Sequence, residues 1–172
     1  VLFAESEKIN EVLEMNGCMD VLFADSTVQK DELWRIRRVL PVSVKSNSVY
    51  KEEDTVVPRA ELPRLIHGIK EIGNKYGFES VCYGHAGDGN LHVNIIKESM
   101  SDEDWNTKLK WGIKEIFELT VALGGTISGE HGIGLVQREF MSIKYSDIHL
   151  DLVRGIKQVF DPNGILNPGK IF

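Results

Sequence analysis

The sequence predicts an α+β fold built on an antiparallel sheet, and three observations carry that prediction. Two strand-like segments, 79–85 and 91–96, flank a glycine-rich loop with Asp-Gly and Gly-Asn pairs, which turns the chain back as a hairpin. Helical segments with apolar residues three and four apart stand on either side of it. Strands and helices mix without the regular βαβ rhythm of a doubly wound sheet.

The elements follow in chain order. Glu5 to Met15 has helical spacing through Ile9, Val12 and Leu13, and Gly17 ends it. Cys18 to Ala24 is a short apolar run suited to a buried strand. Ser26 to Leu40 places Leu33, Ile36 and Leu40 on one side of a helix that Pro41 closes. Thr55 to Val57 reads as strand. The clearest helix is Ala60 to Tyr76, striped by Leu62, Leu65, Ile66, Ile69 and Ile72 and stopped by Gly77. After the hairpin, Ser101 opens a helix with an acidic first turn that runs through Leu109, Ile113, Ile116 and Phe117 to Gly124-Gly125. Ser146 to Phe160 is the last helix, and Asp161-Pro162-Asn163-Gly164 is a turn. No repeat, low-complexity tract or linker interrupts the chain, so one domain over 1–172 is the simplest organisation.

The bulk numbers exclude some classes. With 20 Lys+Arg against 26 Asp+Glu the net charge is -6, which disfavours nucleic acid as a partner. No run approaches the roughly 20 apolar residues of a membrane span, and the opening turns charged too soon for a secretory signal. A cytoplasmic location is the expectation, with peripheral membrane attachment left open. The abrupt start at Val1 suggests a piece of a longer chain. Cys18 and Cys82 lie in apolar surroundings and are expected as two buried free thiols, a disulfide being the alternative.

Two segments carry chemistry. In Tyr83-Gly84-His85-Ala86-Gly87-Asp88-Gly89-Asn90-Leu91-His92-Val93-Asn94, strand alternation puts Leu91, Val93 and Ile95 on the core face and His92 and Asn94 on the other. The hairpin brings His85 and His92 onto neighbouring strands and one face, close enough to share a metal. A tight hairpin with two ordinary histidines is the plain alternative, and a phosphate cradle is a poor one without the Lys-Ser/Thr of a P-loop. The second segment, Gly124-Gly125-Thr126-Ile127-Ser128-Gly129-Glu130-His131-Gly132-Ile133-Gly134, wraps five glycines around an adjacent Glu-His pair. Glu130 adds the carboxylate that two imidazoles lack, so His85, His92 and Glu130 make a two-histidine, one-carboxylate set with open positions. His131, beside that set, is placed to accept a proton. His67 and His149 fall within helix patterns.

GHAGDGNLHVN, GGTISGEHGIG and the terminal FDPNGILNPGKIF together resemble the C-terminal domain of the FAD-linked oxidases, along essentially the whole chain and in the same order. That family includes the glycolate oxidase flavoprotein subunit, D-lactate dehydrogenase and D-2-hydroxyglutarate dehydrogenase. The resemblance implies a ferredoxin-like antiparallel sheet covered by helices, capping a separate N-terminal FAD-binding domain that nothing in this chain resembles. It maps a metal onto His85, His92 and Glu130, agreeing with the reading from spacing, and the general base onto His131. Asn94 corresponds to a substrate-contacting asparagine. Leu33-Trp34-Arg35-Ile36-Arg37 resembles the LW-x-x-R helix, making Arg37 the candidate for the substrate carboxylate, and Lys51 corresponds to a lysine near the substrate. Pro41 departs from a polar contact found in some members. Asn167, in Asn167-Pro168-Gly169-Lys170, falls near the FAD domain by the same resemblance, its alternative being a turn that docks the last helix.

The implied activity is oxidation of a small 2-hydroxyacid to the 2-oxoacid by hydride transfer to FAD, with a divalent zinc, manganese or iron polarising the hydroxyl. The implied partners are the hydroxyacid, the chain's own FAD domain and a second copy or further subunits. This segment by itself is expected to be inactive. Two rivals stand beside it: a stand-alone metal hydrolase using the same ligands on water, and a non-catalytic module whose histidines brace a hairpin.

Overall fold

The computed structural model describes residues 2–46 and 48–172. They form two compact units, 1–43 and 44–172, with one helix crossing the division. In the first unit, helix α1 (Leu2–Met15) is followed by an irregular stretch and then by α2 (Thr27–Ser46). Phe3 and Phe23 face each other there, ring centroids 6.4 Å apart.

Three expectations fail in this part of the chain. Residues 18–24 form no strand, and Met19, Leu22 and Phe23 are exposed. The apolar run is suited to a ladder but has no neighbouring strand to pair with, and without one its preference for extended structure decides nothing. Cys18 is accordingly exposed rather than buried, while Cys82 is half-buried and both are free thiols. Helix α2 also runs through Pro41 to Ser46. Proline removes one intrahelical donor, to the Arg37 carbonyl. No residue of α2 is buried, so water has access to satisfy that group and the helix continues.

The second unit is α+β, as the hairpin predicts. Strands β1 (Tyr50–Val56), β2 (Glu79–His85) and β3 (Asn90–Ile96) form an antiparallel sheet in the order β1-β3-β2. Helix α3 (Leu62–Tyr76) connects β1 to β2, and α4 (Asp102–Ala122) follows β3. Because β3 inserts between the strands that α3 joins, this is the split βαβ arrangement of ferredoxin-like sheets. The place of a fourth strand, beyond β1, is taken by a single bridge in which Val56 and Thr126 exchange both backbone hydrogen bonds. The chain after α4 is thus free to become a loop.

Alternation fixes what each face carries. Leu91, Val93 and Ile95 enter the core with Leu65 and Ile69 of α3 and with Ile113, Ile116 and Phe117 of α4. The two helices pack side by side, and Gly77, left-handed at φ 79°, ends α3 as the sequence predicts. Ser101 caps α4 by accepting from the Asp104 N–H at 3.0 Å. Short α5 (Met141–Lys144) and α6 (Asp147–Phe160) complete the unit, and no described helix is long and apolar enough to cross a membrane.

Phe117 lies at the centre of this core, fully buried with its ring centroid 5.1 Å from that of Phe140. Phe117→Ala is expected to lower stability by about 3–5 kcal/mol in urea unfolding. A loss under about 1 kcal/mol would show that the core is not organised around this ring.

Candidate functional site

The opposite face of the sheet carries the polar residues. The β1–β3 register sets Asp54 opposite His92 and Glu52 opposite Asn94, while on β2 Tyr83 faces His92 and His85 faces Asn90. The hairpin closes through Ala86–Asp88 and Gly89, whose φ of 75° turns the chain tightly into β3. His85 and His92 therefore share a face, with ring centroids 5.8 Å apart and planes at 81°.

The loop after α4 arrives over this face. Its anchor is Asp54, a fully buried residue that the sequence did not single out. Asp54 Oδ2 accepts three consecutive backbone N–H groups, from Gly129 at 2.8 Å, Glu130 at 2.7 Å and His131 at 2.9 Å. Its Oδ1 accepts from Asn90 Nδ2 at 2.6 Å. Successive N–H groups pointing at one oxygen make an anion-holding concavity, filled here by the protein's own carboxylate. Gly129 allows the close approach: a Cβ there would overlap the Asn90 amide and the Val56 side chain. Burial opposes ionisation of Asp54, but the bonds from His131, Glu130, Asn90 and Gly129 outweigh it and hold its carboxyl below the usual range.

With the loop so held, its side chains meet the histidines. Glu130 Oε1 lies 3.3 Å from His85 Nε2 and 3.6 Å from His92 Nε2. His131 stacks on His92, centroids 4.9 Å apart and planes within 15°. These three donors, His85 Nε2, His92 Nε2 and Glu130 Oε1, fall within bridging distance of one cation. His92 is 10% exposed at its side chain, whereas His85 and Glu130 are 44% and 50% exposed, so the cluster has a protein side and an open side. His92 Nδ1 is buried without a hydrogen-bond partner, 3.7 Å from Asp54 Oδ1. A carboxylate behind a histidine favours the Nδ1–H tautomer and turns the Nε2 lone pair outward, toward a ligand position. Two imidazole nitrogens and a carboxylate oxygen, with that orienting carboxylate behind them, fit a divalent metal.

The structure treats the remaining predicted residues differently. Asn94 is on the histidine face, fully buried, and neither Nδ2 nor Oδ1 has a partner. Lys51 is on the other face, because it pairs across the sheet with Ile95. Its Nζ lies 3.6 Å from buried Glu53 Oε1, and Gln137 Nε2 donates to Glu53 Oε2 at 2.9 Å. Burial pushes the Glu53 carboxyl up, against the pull of Gln137 and Lys51. Arg37 belongs to the first unit, its guanidinium 5.1 Å from the centroid of the Trp34 ring. Asn167 is exposed, with φ at 46°. The segment around it is tied to its own chain: Arg138 Nη1 donates to the Gly169 carbonyl at 2.8 Å and the Ile171 N–H to the Gly134 carbonyl at 2.7 Å.

Asp54→Asn keeps the size of the side chain and removes its charge. It is expected to cost about 2–4 kcal/mol at neutral pH, as several bonds to a buried carboxylate weaken together. The folded-state pKa lies below the unfolded one, so this contribution is present above about pH 4 and is lost as pH falls through the folded value. Urea unfolding at pH 7 and pH 3 should show the gap between wild type and variant narrowing in acid. Equal stabilities at pH 7 would remove Asp54 as the anchor.

The family described as FAD linked oxidases, C-terminal domain, matches residues 1–171. The chain is 33% identical over 166 residues to a D-lactate dehydrogenase of Anaerostipes hadrus, covering 96% of this chain and 35% of that protein. It is 36% identical to a D-2-hydroxyglutarate dehydrogenase of Stutzerimonas stutzeri, covering 93% and 35%. It is 33% identical to the glycolate oxidase subunit GlcD of Bacillus subtilis, covering 98% and 36%. The chain thus spans about a third of the length of these curated relatives. By that match, the chain belongs to the C-terminal domain family of FAD-linked oxidases.

Proposed function

We propose that this chain is the substrate- and metal-binding part of an FAD-dependent 2-hydroxyacid dehydrogenase or oxidase. The observation that supports it most is the convergence of His85 Nε2, His92 Nε2 and Glu130 Oε1, with His131 stacked beside them. Zinc, manganese and iron all suit these donors. The relatives' names direct the substrate toward glycolate, D-lactate or D-2-hydroxyglutarate. An FAD-binding domain N-terminal to this segment completes the reading, because this chain matches only 35% of such relatives.

A bound metal would supply Lewis-acid polarisation of the substrate hydroxyl, and a bound FAD would supply the acceptor for the hydride on C2. The chain's own residues do the rest. His85, His92 and Glu130 would hold the metal, and the Asp54 carboxylate orients His92 and carries the backbone of Glu130. A ring nitrogen of His131 takes the hydroxyl proton, its imidazole exposed on the open side while its backbone is fixed on Asp54. For the substrate carboxylate the candidate is Arg37, by the likeness of its segment to the LW-x-x-R helix; a guanidinium suits a carboxylate in a fork geometry. The buried Asn94 amide would orient the substrate from the histidine face, and Asn167 is the residue that would serve the FAD side. The product is the 2-oxoacid. Family membership favours this over a stand-alone hydrolase, which ester turnover abolished by Glu130→Ala would reveal.

The test uses the full-length protein with a panel of 2-hydroxyacids and an artificial electron acceptor, alongside metal analysis. His85→Ala and Glu130→Ala should lose both metal and turnover. His131→Asn should retain the metal while kcat falls by about 10²–10⁴-fold. Failure to oxidise any 2-hydroxyacid, or full activity in His131→Asn, would contradict the proposal.

A further inference from the structure

The loop that carries Glu130 and His131 is gripped from β1 at two places. Asp54 takes the His131 N–H, and Glu53 takes the Gln137 amide. Between them lie Gly132 and Gly134, left-handed at φ 76° and 54°, where the backbone has most freedom to turn. The Gly132 N–H donates to Ser128 Oγ at 2.9 Å, which folds the loop on itself without tying it to another element. A tie to another element comes from the end of the unit. The Ile171 N–H reaches the Gly134 carbonyl at 2.7 Å, just beyond His131 in the chain.

The segment that makes this tie is itself firmly held. Asp161, which follows α6, is buried, and its Oδ1 accepts the Ile165 N–H at 2.9 Å. Its Oδ2 accepts the Leu166 N–H at 3.0 Å and Lys157 Nζ at 2.7 Å. Lys157 donates again to the Leu166 carbonyl at 2.8 Å. Farther along, Arg138 Nη1 fixes the Gly169 carbonyl. Asn167, Gly169 and Ile171 all stand in the left-handed region, at φ 46°, 70° and 69°. For Ile171, branched at Cβ, that conformation is strained, and such strain persists only where the surrounding structure imposes it. The strained residue is the one whose N–H reaches the loop.

We propose that residues 165–171 are a strap that fixes the far side of the His131 loop, with Arg138 and the Ile171 N–H as its positioning groups. Asp54 sets where the backbone of His131 begins, and the strap sets how the chain leaves it. Together they hold the imidazole in one place against a bound 2-hydroxyacid. Glu130 depends on the strap less, because its own N–H is on Asp54 and its carboxylate lies between two histidines. The strap therefore acts on proton removal and not on metal binding. This inference rests on His131 being the base of the proposed oxidation.

The test is made on the full-length flavoprotein, with the single-turnover rate of flavin reduction by a saturating 2-hydroxyacid. Arg138→Met leaves the Ile171 tie in place and should lower that rate by about 3- to 10-fold, as the loss of one exposed charge-assisted bond predicts. Arg138→Lys should restore part of it. Ile171→Pro, which lacks the N–H and cannot adopt a positive φ, should lower the rate further. Ile171→Asn keeps the N–H, suits the left-handed backbone and should stay nearer wild type than Ile171→Pro. Metal content, melting temperature and substrate Kd of Arg138→Met should stay within about 2-fold or 2 °C of wild type. Placed in His131→Asn, Arg138→Met should lower the rate no further, because the strap acts through His131.

A wild-type rate in Arg138→Met, an additive loss in the His131→Asn background, or a loss of metal would overturn the proposal. If the wild type oxidises no 2-hydroxyacid, the oxidoreductase reading fails, and amide hydrogen exchange over 129–136 then decides the strap without catalysis. Exchange faster by about 5-fold or more in Arg138→Met would support it, and unchanged exchange would overturn it.

Discussion

One buried carboxylate carries the arrangement. Asp54 gathers the N–H groups of Gly129, Glu130 and His131 on a single oxygen and the Asn90 amide on the other. A loop of glycines has many conformations and no reason of its own to hold one. Three charge-assisted bonds from consecutive residues remove that freedom where Glu130 and His131 must be directed. The neighbouring carboxylate, Glu53, points to the other face and takes the Gln137 amide. Two adjacent residues of β1 thus grip the same connection, one at and one after its ionisable pair. The fourth strand of the sheet is reduced to the Val56–Thr126 bridge, and the chain released from the ladder is what they hold.

Most of the second unit was legible in the sequence because its signals are local. The hairpin, its glycine turn and the shared face of His85 and His92 follow from strand periodicity, and β2 falls at the predicted residues Glu79–His85. The stripe of α3 and the Ser101 cap of α4 are also local patterns. Asp54 was not legible. Its loop partners lie 75 to 77 residues away, and no motif spacing connects an aspartate in a strand to a glycine loop. The same strand hid the fate of Lys51. Lys51-Glu52-Glu53-Asp54 has no apolar alternation, so β1 read as only Thr55–Val57 although the ladder starts at Tyr50. Extended back to Tyr50, simple alternation puts Lys51 with Glu53 and Thr55, away from Glu52 and Asp54.

The failures in the first unit have the opposite cause. Residues 18–24 and Pro41 gave clear local signals, one for a strand and one for a helix end. Neither governs its segment: a strand is stable only in a ladder, and a single missing donor does not end a helix whose carbonyl has access to water. The exposed apolar side chains of this unit and of α6, among them Phe23, Ile148 and Phe160, are surface that folding within the described residues does not cover. A segment matching about a third of longer relatives is where such surface is expected.

The central claim is that the Asp54-held loop completes a cation site with the two histidines. Anomalous diffraction from crystals of the full-length protein soaked in Mn²⁺ tests it directly. The account predicts a single strong peak bounded by His85 Nε2, His92 Nε2 and Glu130 Oε1, at about 2.0–2.3 Å from each. Manganese bound elsewhere, with these three side chains bonded only to one another, would contradict it.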